Sequence, residues 1–174
     1  VHYKNFQFLA EAFSLWNKKK NMDLILVGGG NFSDEEVQFF KKIGIYENTH
    51  FLSGLDDQKL CALYNQAAAF VYPSLWEGFG IPVLEAMACG CPVVASDIPT
   101  NRELAQDIAF FFDPLDQKQF LQRLDEAVSL HRQGPQVEAG LRRVQDFSWK
   151  KTADQIMDVC QSVFVSEERP FNEK

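Results

Sequence analysis

Short apolar segments alternate with helical patterns up to about residue 112, and this alternation admits few folds. Phe6, Leu9, Phe13 and Trp16 recur at helical spacing, and the apolar run at residues 23–27 ends in glycines, as a strand buried on both faces does. Because a crossover between parallel strands needs about a helix's length, the order predicts an α/β domain with a doubly wound, Rossmann-like parallel sheet. Helices are predicted at about 6–19, 33–43, 81–88 and 101–105, and a further one begins at Asp56 or Asp57 and contains Leu60, Leu63 and Tyr64. Strands are predicted at about 23–27, 50–52, 69–72, 92–96 and 109–112.

The pattern becomes wholly helical after Asp116. Three helices are predicted at about 116–131, 135–145 and 149–165, followed by a polar tail at 166–174. We therefore expect one domain over residues 1–165. The last helix has an apolar face with Ile156, Val159 and Val163, which we expect to be exposed or packed against another domain or a neighbour.

The composition is that of a globular protein and excludes several classes of partner. The chain has 174 residues, 46% of them hydrophobic, and a net charge of -7 with no basic run longer than residues 18–20. This balance argues against nucleic acid or an anionic membrane as the main partner. The four cysteines form no CxxC pair, and no apolar stretch has the ~20 residues of a membrane helix. We expect a reducing, cytoplasmic location.

Ligands of parallel sheets bind at the carboxyl edge, so the loops that leave the strands are the places to search. The most informative of them is the segment at 73–90. It holds Glu77 and Glu85, with seven residues between them, and the glycines Gly78 and Gly80. A helix beginning near Ile81 has free N–H groups in its first turn that favour an anion. The segment thus offers amides that can bind an anion beside carboxylates that can bind hydroxyl groups. This combination predicts a sugar nucleotide as the ligand. The alternative is that the glutamates are solvated and the glycines only serve a tight turn.

This segment resembles the group 1 (family four) retaining glycosyltransferases of the GT-B fold. Their signature is a pair of glutamates around a Gly-Phe-Gly-Xaa-Pro core, and the similarity continues through Ser96. The resemblance implies that the chain is the C-terminal half of a GT-B fold, which binds the nucleotide-sugar donor. Most of the acceptor is then held by an N-terminal domain that is not part of this sequence.

The resemblance also implies roles for individual residues. Lys4 would contact the donor diphosphate and Glu77 the transferred sugar, and these two are the expected catalytic residues. Glu85 would bind the ribose hydroxyls. The other expected donor-binding residues are Gly78, Phe79, Gly80 and Ile81 at the sugar and diphosphate, Gly54 and Leu55 at the base, and Gly29 along the cleft.

The implied chemistry is retaining hexosyl transfer in glycan or glycolipid biosynthesis. The donor would be a nucleotide-diphosphate sugar such as UDP-glucose or GDP-mannose, and no other cofactor is expected. The family is metal-independent, and this sequence has no Asp-Xaa-Asp pair to hold a metal ion. The acceptor would be a glycan or a lipid-linked sugar at the cytoplasmic membrane face. An Arg that usually accompanies the family's Lys is absent from the sequence, so we expect this half to be inactive alone.

Three alternatives remain from the sequence. One is a non-catalytic nucleotide-sugar binding module, and a second is a sugar-nucleotide epimerase of the same fold. The third is an oxidoreductase, because Gly28, Gly29 and Gly30 imitate a dinucleotide fingerprint. The oxidoreductase is disfavoured, since the third glycine of the fingerprint is missing and no acid follows the next strand.

Overall fold

A computed structural model describes residues 2–18, 20–28 and 30–167. In this part of the chain five strands alternate with helices, and three further helices follow the last strand. The strands are β1 (Leu24–Val27), β2 (Thr49–Leu52), β3 (Phe70–Tyr72), β4 (Val93–Ser96) and β5 (Phe110–Phe112). The helices are α1 (Phe6–Asn17), α2 (Asp34–Ile43), α3 (Asp57–Gln66), α4 (Ile81–Ala88), α5 (Pro99–Ala105), α6 (Gln117–Ser129), α7 (Pro135–Arg143) and α8 (Trp149–Glu167).

Capping residues explain where several helices begin. Ser33 and Glu36 form a capping box at α2, in which the Ser33 hydroxyl accepts from the Glu36 amide and the Glu36 carboxylate accepts from the Ser33 amide. The Asp56 carboxylate accepts from the Lys59 amide at the start of α3. Because these signals are local, the sequence could predict the order of strands and helices. The structure confirms that order.

The strands form two parallel sheets, whereas a single sheet was expected. β1 pairs with β2, and β3, β4 and β5 pair in that order. Among the described residues, β1 and β3 each have a strand on one side only, so no hydrogen bonds join the two sheets. Ile25 and Val27 are also 41% and 48% exposed, although their apolar run is typical of a strand buried on both faces. The α/β class with parallel strands is correct, and the continuous sheet is not.

Helices cover both faces of the three-stranded sheet. Val94 and Phe112 belong to one core with residues of α1, α2 and α6. Their neighbours Ala95 and Phe111 belong to a second core with residues of α3, α4 and α5. Adjacent residues of a strand point to opposite faces, and here each face meets its own set of helices. This is the doubly wound arrangement predicted from the sequence.

The C-terminal helices differ in how they pack. α7 lies on α4 so closely that a Cβ atom at Gly140 would come within 3.3 Å of Met87. α8, by contrast, exposes Trp149, Ile156 and Val159, and it continues to Glu167, beyond the predicted end at 165. The rest of the predicted tail, 168–174, lies outside the described residues. No helix among the described residues is both long and apolar enough to span a membrane.

Candidate functional site

An ion pair joins the start of the chain to the segment that follows β3. Lys4 Nζ lies 2.7 Å from Glu77 Oε1 and donates a hydrogen bond to it. The Glu77 side chain is only 12% exposed, whereas that of Lys4 is 44% exposed. The Lys4 ammonium also lies over the rings of Tyr3 and Tyr72, at 5.0 and 5.3 Å from their centroids. The structure thus brings the two predicted catalytic residues into direct contact.

The surroundings of Glu77 favour its ionised form. Burial by itself would raise the pKa of this carboxyl, but Lys4 and the hydroxyl groups of Ser74 and Tyr72 outweigh burial and lower it. The reciprocal effect is seen at Tyr72, where burial and the Glu77 carboxylate raise the pKa of the phenol. At neutral pH Glu77 is therefore a carboxylate that accepts hydrogen bonds.

Contacts on both sides hold the segment that carries Glu77. The Leu75 amide donates to the Tyr3 carbonyl at 2.7 Å, and the rings of Tyr3 and Trp76 lie 5.1 Å apart. From the other side, the Thr100 hydroxyl donates to the Glu77 carbonyl at 2.9 Å. The backbone at Glu77 is therefore positioned by residues from two other parts of the chain.

Gly80 shapes the turn at the start of α4. Its φ of +100° is one that glycine tolerates and other residues rarely adopt. It also packs tightly, since a Cβ atom there would lie 3.4 Å from Leu104 Cδ2 and 3.6 Å from Asn101 Oδ1. Gly78, by contrast, is exposed and has open space around its Cα.

The amino end of α4 presents unused backbone donors. Among the described residues, the amides of Phe79, Gly80 and Ile81 have no hydrogen-bond partner. Pro82, the second residue of the helix, has no N–H to leave unpaired. Free amides at the positive end of a helix dipole favour an anion, and the free N–H groups themselves agree with the sequence prediction.

The side chains of this turn are largely open. Phe79 is 49% exposed and meets Phe147 edge to face at 6.1 Å, so it packs beside the turn and not beneath it. Ile81 is 44% exposed. A ligand can therefore approach the backbone here without displacing a buried side chain.

Glu85 points to a partner that the sequence did not reveal. The Tyr64 hydroxyl on α3 donates to Glu85 Oε2 at 3.1 Å, and the Glu85 carboxylate is half-buried. Burial and the nearby Glu85 raise the pKa of the Tyr64 phenol, so it remains a donor. Glu85 and Glu77 thus contact different parts of the chain, Tyr64 and Lys4 respectively.

Arg132 links the carboxyl ends of α3 and α4. Its guanidinium donates to the carbonyls of Tyr64, Ala67 and Cys89 at 2.6–2.9 Å. A cation at helix carboxyl ends is favoured by their dipoles, and a planar guanidinium can reach several carbonyls together. No sequence signal marked Arg132, because it lies in the loop after α6, far along the chain from all three acceptors.

The other predicted loops lie at the carboxyl ends of β1 and β2. The Gly28 amide donates to the Leu52 carbonyl at 3.2 Å, which keeps these two ends side by side. Gly54 is exposed with a φ of +62°, and Leu55 is half-buried. Gly29 lies outside the described residues.

Two buried polar atoms at the carboxyl edge of the three-stranded sheet lack a hydrogen-bond partner among the described residues. They are the Ser96 hydroxyl and the Oδ1 atom of Asn101. The Asn101 amide nitrogen is used, since it donates to the Ser96 carbonyl at 3.0 Å. The described residues contain no group of three or more His, Cys, Asp or Glu side chains that could hold a metal ion.

Comparison with known proteins identifies the family. A family model described as "Glycosyl transferases group 1" matches residues 1–137. This chain belongs to the group 1 glycosyl transferases. The match includes Lys4, Glu77 and Glu85, so these three residues lie within the family's region.

Two curated relatives of this glycosyl transferase domain are O-antigen chain mannosyltransferases. The chain is 35% identical over 153 residues to the O-antigen chain mannosyltransferase B of Escherichia coli. This alignment covers 86% of the present chain and 36% of that protein. It is 32% identical over 133 residues to the O-antigen chain mannosyltransferase RfbU of Salmonella typhimurium, with coverage of 73% and 37%. The chain thus spans about a third of the length of these relatives. Both are transferases, which does not favour the epimerase or the non-catalytic module.

Solved structures share the fold. The sucrose-phosphate synthase of Thermosynechococcus elongatus matches with a TM-score of 0.78 at 25% identity, over 95% of this chain and 44% of that one. The pneumococcal O-GlcNAc transferase GtfA, in complex with UDP and GlcNAc, matches with a TM-score of 0.73 at 15% identity, over 94% and 34%. The glycosyl transferase domain therefore has the α/β fold of one half of a GT-B enzyme.

Proposed function

We propose that this domain binds a nucleotide-diphosphate sugar and supports retaining, metal-independent transfer of the hexosyl group to an acceptor. One observation carries the proposal: three unpaired amides at the start of α4 lie within four residues of Glu77, which is itself paired with Lys4. This arrangement supports the assignment of a diphosphate to the amides and of sugar hydroxyls to the carboxylate.

The diphosphate is assigned to Lys4 and to the amides of Phe79, Gly80 and Ile81. As the bond to the sugar breaks, negative charge accumulates on the departing phosphate, and fixed donors that meet this charge lower the barrier. An ammonium has three N–H donors, so Lys4 can contact a phosphate oxygen without leaving Glu77. In this assignment Lys4 and the helix amides take the place of a metal ion.

Glu77 is assigned to the transferred sugar. Because its pKa is lowered, it is a carboxylate at neutral pH and accepts hydrogen bonds from sugar hydroxyls. A carboxylate also stabilises the positive charge that the sugar gains in an oxocarbenium-like transition state. We assign Glu77 to orientation and electrostatics, with the acceptor attacking on the face from which the diphosphate departs.

Glu85 is assigned to the ribose of the donor. Tyr64 donates to Oε2, which leaves Oε1 and the second lone pair of Oε2 for the ribose hydroxyls. Gly54, Leu55 and Gly29 are then assigned to the side of the base. Tyr64 fixes the orientation of the carboxylate and does not itself touch the donor.

The relatives suggest which donor to test first. The mannosyltransferase names favour GDP-mannose, while the UDP bound in the pneumococcal neighbour keeps UDP sugars as the second choice. The acceptor would be a growing glycan or a lipid-linked sugar at the cytoplasmic membrane face. Since the chain spans about a third of its curated relatives, we propose that transfer needs the longer protein and that this chain alone binds the donor without turning it over.

Calorimetric titration of the chain with GDP, UDP and ADP tests the proposal. We expect one nucleotide to bind preferentially, Glu85→Ala to weaken the binding of that nucleotide, and the matched surface variant Glu35→Ala to leave it unchanged. The 2′-deoxy form of the preferred nucleotide should bind the natural chain more weakly than the ribose form does. Glu85→Gln should bind the two forms equally. Binding unaffected by Glu85→Ala, or equal binding of all three nucleotides, would overturn the assignment.

A further inference from the structure

We propose that Cys61 and Cys89 form a reversible disulfide that ties α3 to the carboxyl end of α4. Their Sγ atoms lie 3.7 Å apart although 28 positions separate them in the sequence. A disulfide requires a separation of about 2.05 Å, so the two sulfurs need only a small approach. The proposed function involves neither thiol, so this inference stands independently of it.

The two thiols differ in access, which sets the order of the reaction. Cys61 is exposed on α3, and the Asn65 side-chain amide donates to its Sγ at 3.2 Å. Cys89 is half-buried, and burial together with the adjacent Cys61 raises the pKa of its thiol, although the nearby Arg132 opposes this change. Cys61 is therefore the sulfur that an oxidant in solution reaches first, and Cys89 is the one that completes the bond.

A small-molecule disulfide such as oxidised glutathione is a sufficient oxidant. The Cys61 thiolate attacks one glutathione sulfur, and the S–S bond of glutathione breaks to release one glutathione thiolate. Cys89 then loses its proton to solvent and attacks the Cys61 sulfur, which expels the second glutathione thiolate. Both thiolates take up protons. Two cysteines are thereby oxidised by two electrons, and one glutathione disulfide is reduced to two thiols.

The other two cysteines are poorly placed to compete. Cys91 is 3% exposed, its Sγ faces backbone carbonyls, and burial raises the pKa of its thiol to about 11. Cys160 is exposed on α8, but none of the other three sulfurs lies within contact distance of it. The geometry therefore selects one pair out of four thiols.

The disulfide would join two helices that already meet at the candidate site. Cys61 lies one turn before Tyr64 on α3, and Cys89 is the C-cap of α4, one turn after Glu85. Tyr64 donates to Glu85, and Arg132 holds the carbonyls of Tyr64 and Cys89. Oxidation would thus close a covalent link beside existing polar ones and restrict the motion of α3 against α4.

The test is a redox titration of the whole chain with mixtures of oxidised and reduced glutathione. Intact mass should fall by two hydrogen atoms, and peptide mapping should find a Cys61–Cys89 link that dithiothreitol reverses. Because the link closes a loop of 28 residues, the midpoint of thermal unfolding should rise by roughly 5 °C or more. Cys61→Ser and Cys89→Ser should lose both effects, while Cys160→Ser should keep both.

Two results would overturn the proposal. The first is the absence of a Cys61–Cys89 peptide even in the most oxidising mixture. The second is a linked chain whose unfolding midpoint does not rise, since that would mean that the sulfurs meet only after the helices are distorted.

Discussion

The Lys4 ammonium donates to the Glu77 carboxylate at 2.7 Å, across 73 positions of sequence. The pair lies where the start of the chain passes the loop after β3, with the rings of Tyr3 and Tyr72 beside the ammonium. A cation and an anion so placed can meet a ligand that carries a diphosphate on one side and hydroxyl groups on the other.

Replacing Lys4 should weaken nucleotide binding. We expect Lys4→Met to lower affinity for the preferred nucleoside diphosphate about tenfold, because one charge-assisted hydrogen bond is worth roughly 1.5 kcal/mol or more. The nucleoside without phosphates should bind both forms equally. Lys118→Met, at an exposed position on α6, is the control. Calorimetry measures each value, and an unchanged affinity for the diphosphate would remove Lys4 from the donor site.

Replacing Glu77 should affect transfer more than nucleotide binding. In the longer enzyme, Glu77→Gln should lower kcat/KM at least tenfold, because a neutral amide stabilises the developing positive charge of the sugar less well. The affinity for the sugar-free nucleoside diphosphate should change by less than about threefold. Transfer rates measured with GDP-mannose or UDP-glucose test this prediction. Full turnover by Glu77→Gln would contradict the assignment of Glu77 to the transferred sugar.

The Glu77 pKa predicts a pH dependence of stability. This pKa is lower in the folded chain than its ordinary value of 4.5, so Glu77 stabilises the fold above that value. The contribution should decline as the pH falls from about 4.5 through the folded pKa. Urea unfolding of the natural chain and Glu77→Gln at pH 7 and at lower values should show a difference in unfolding free energy that shrinks on acidification. A difference that grows on acidification would contradict the lowered pKa.

Removing the Tyr64 hydroxyl should loosen Glu85. We expect Tyr64→Phe to reduce nucleotide affinity several-fold and to cost about 1 kcal/mol of unfolding free energy. The preference for ribose over 2′-deoxyribose should also shrink, a change that a general loss of stability would not produce. Tyr46→Phe, at an exposed tyrosine, should change none of these quantities. An intact ribose preference in Tyr64→Phe would show that Glu85 is positioned without Tyr64.

Gly80 and Gly78 form a matched pair for backbone strain. Gly80→Ala should destabilise the fold by about 1–3 kcal/mol, because its φ is +100° and a Cβ atom would crowd Leu104. Gly78→Ala should stay within about 0.5 kcal/mol, since its Cβ would meet nothing. Urea unfolding at neutral pH measures both. Equal effects of the two substitutions would mean that the turn at Gly80 is free to rearrange.

The sequence alone determined the order of the elements and the location of the free amides at the start of α4. Apolar periodicity and caps such as Ser33 act over a few residues, so the predicted helices and strands agree with the structure to within a few positions. The segment at 73–90 likewise contains within itself the glycines, the proline and the helix start that leave three amides unpaired. Its resemblance to a known family was confirmed by the family match.

Only the tertiary structure decided which side chains meet. The contacts of Lys4 with Glu77, Tyr64 with Glu85, and Cys61 with Cys89 join residues that are 73, 21 and 28 positions apart. The division into two sheets could not be predicted from the sequence either. The apolar pattern of a strand is the same whether the strand has one neighbouring strand or two. Periodicity reports the environment of one element at a time, whereas these features depend on how separate elements pack against each other.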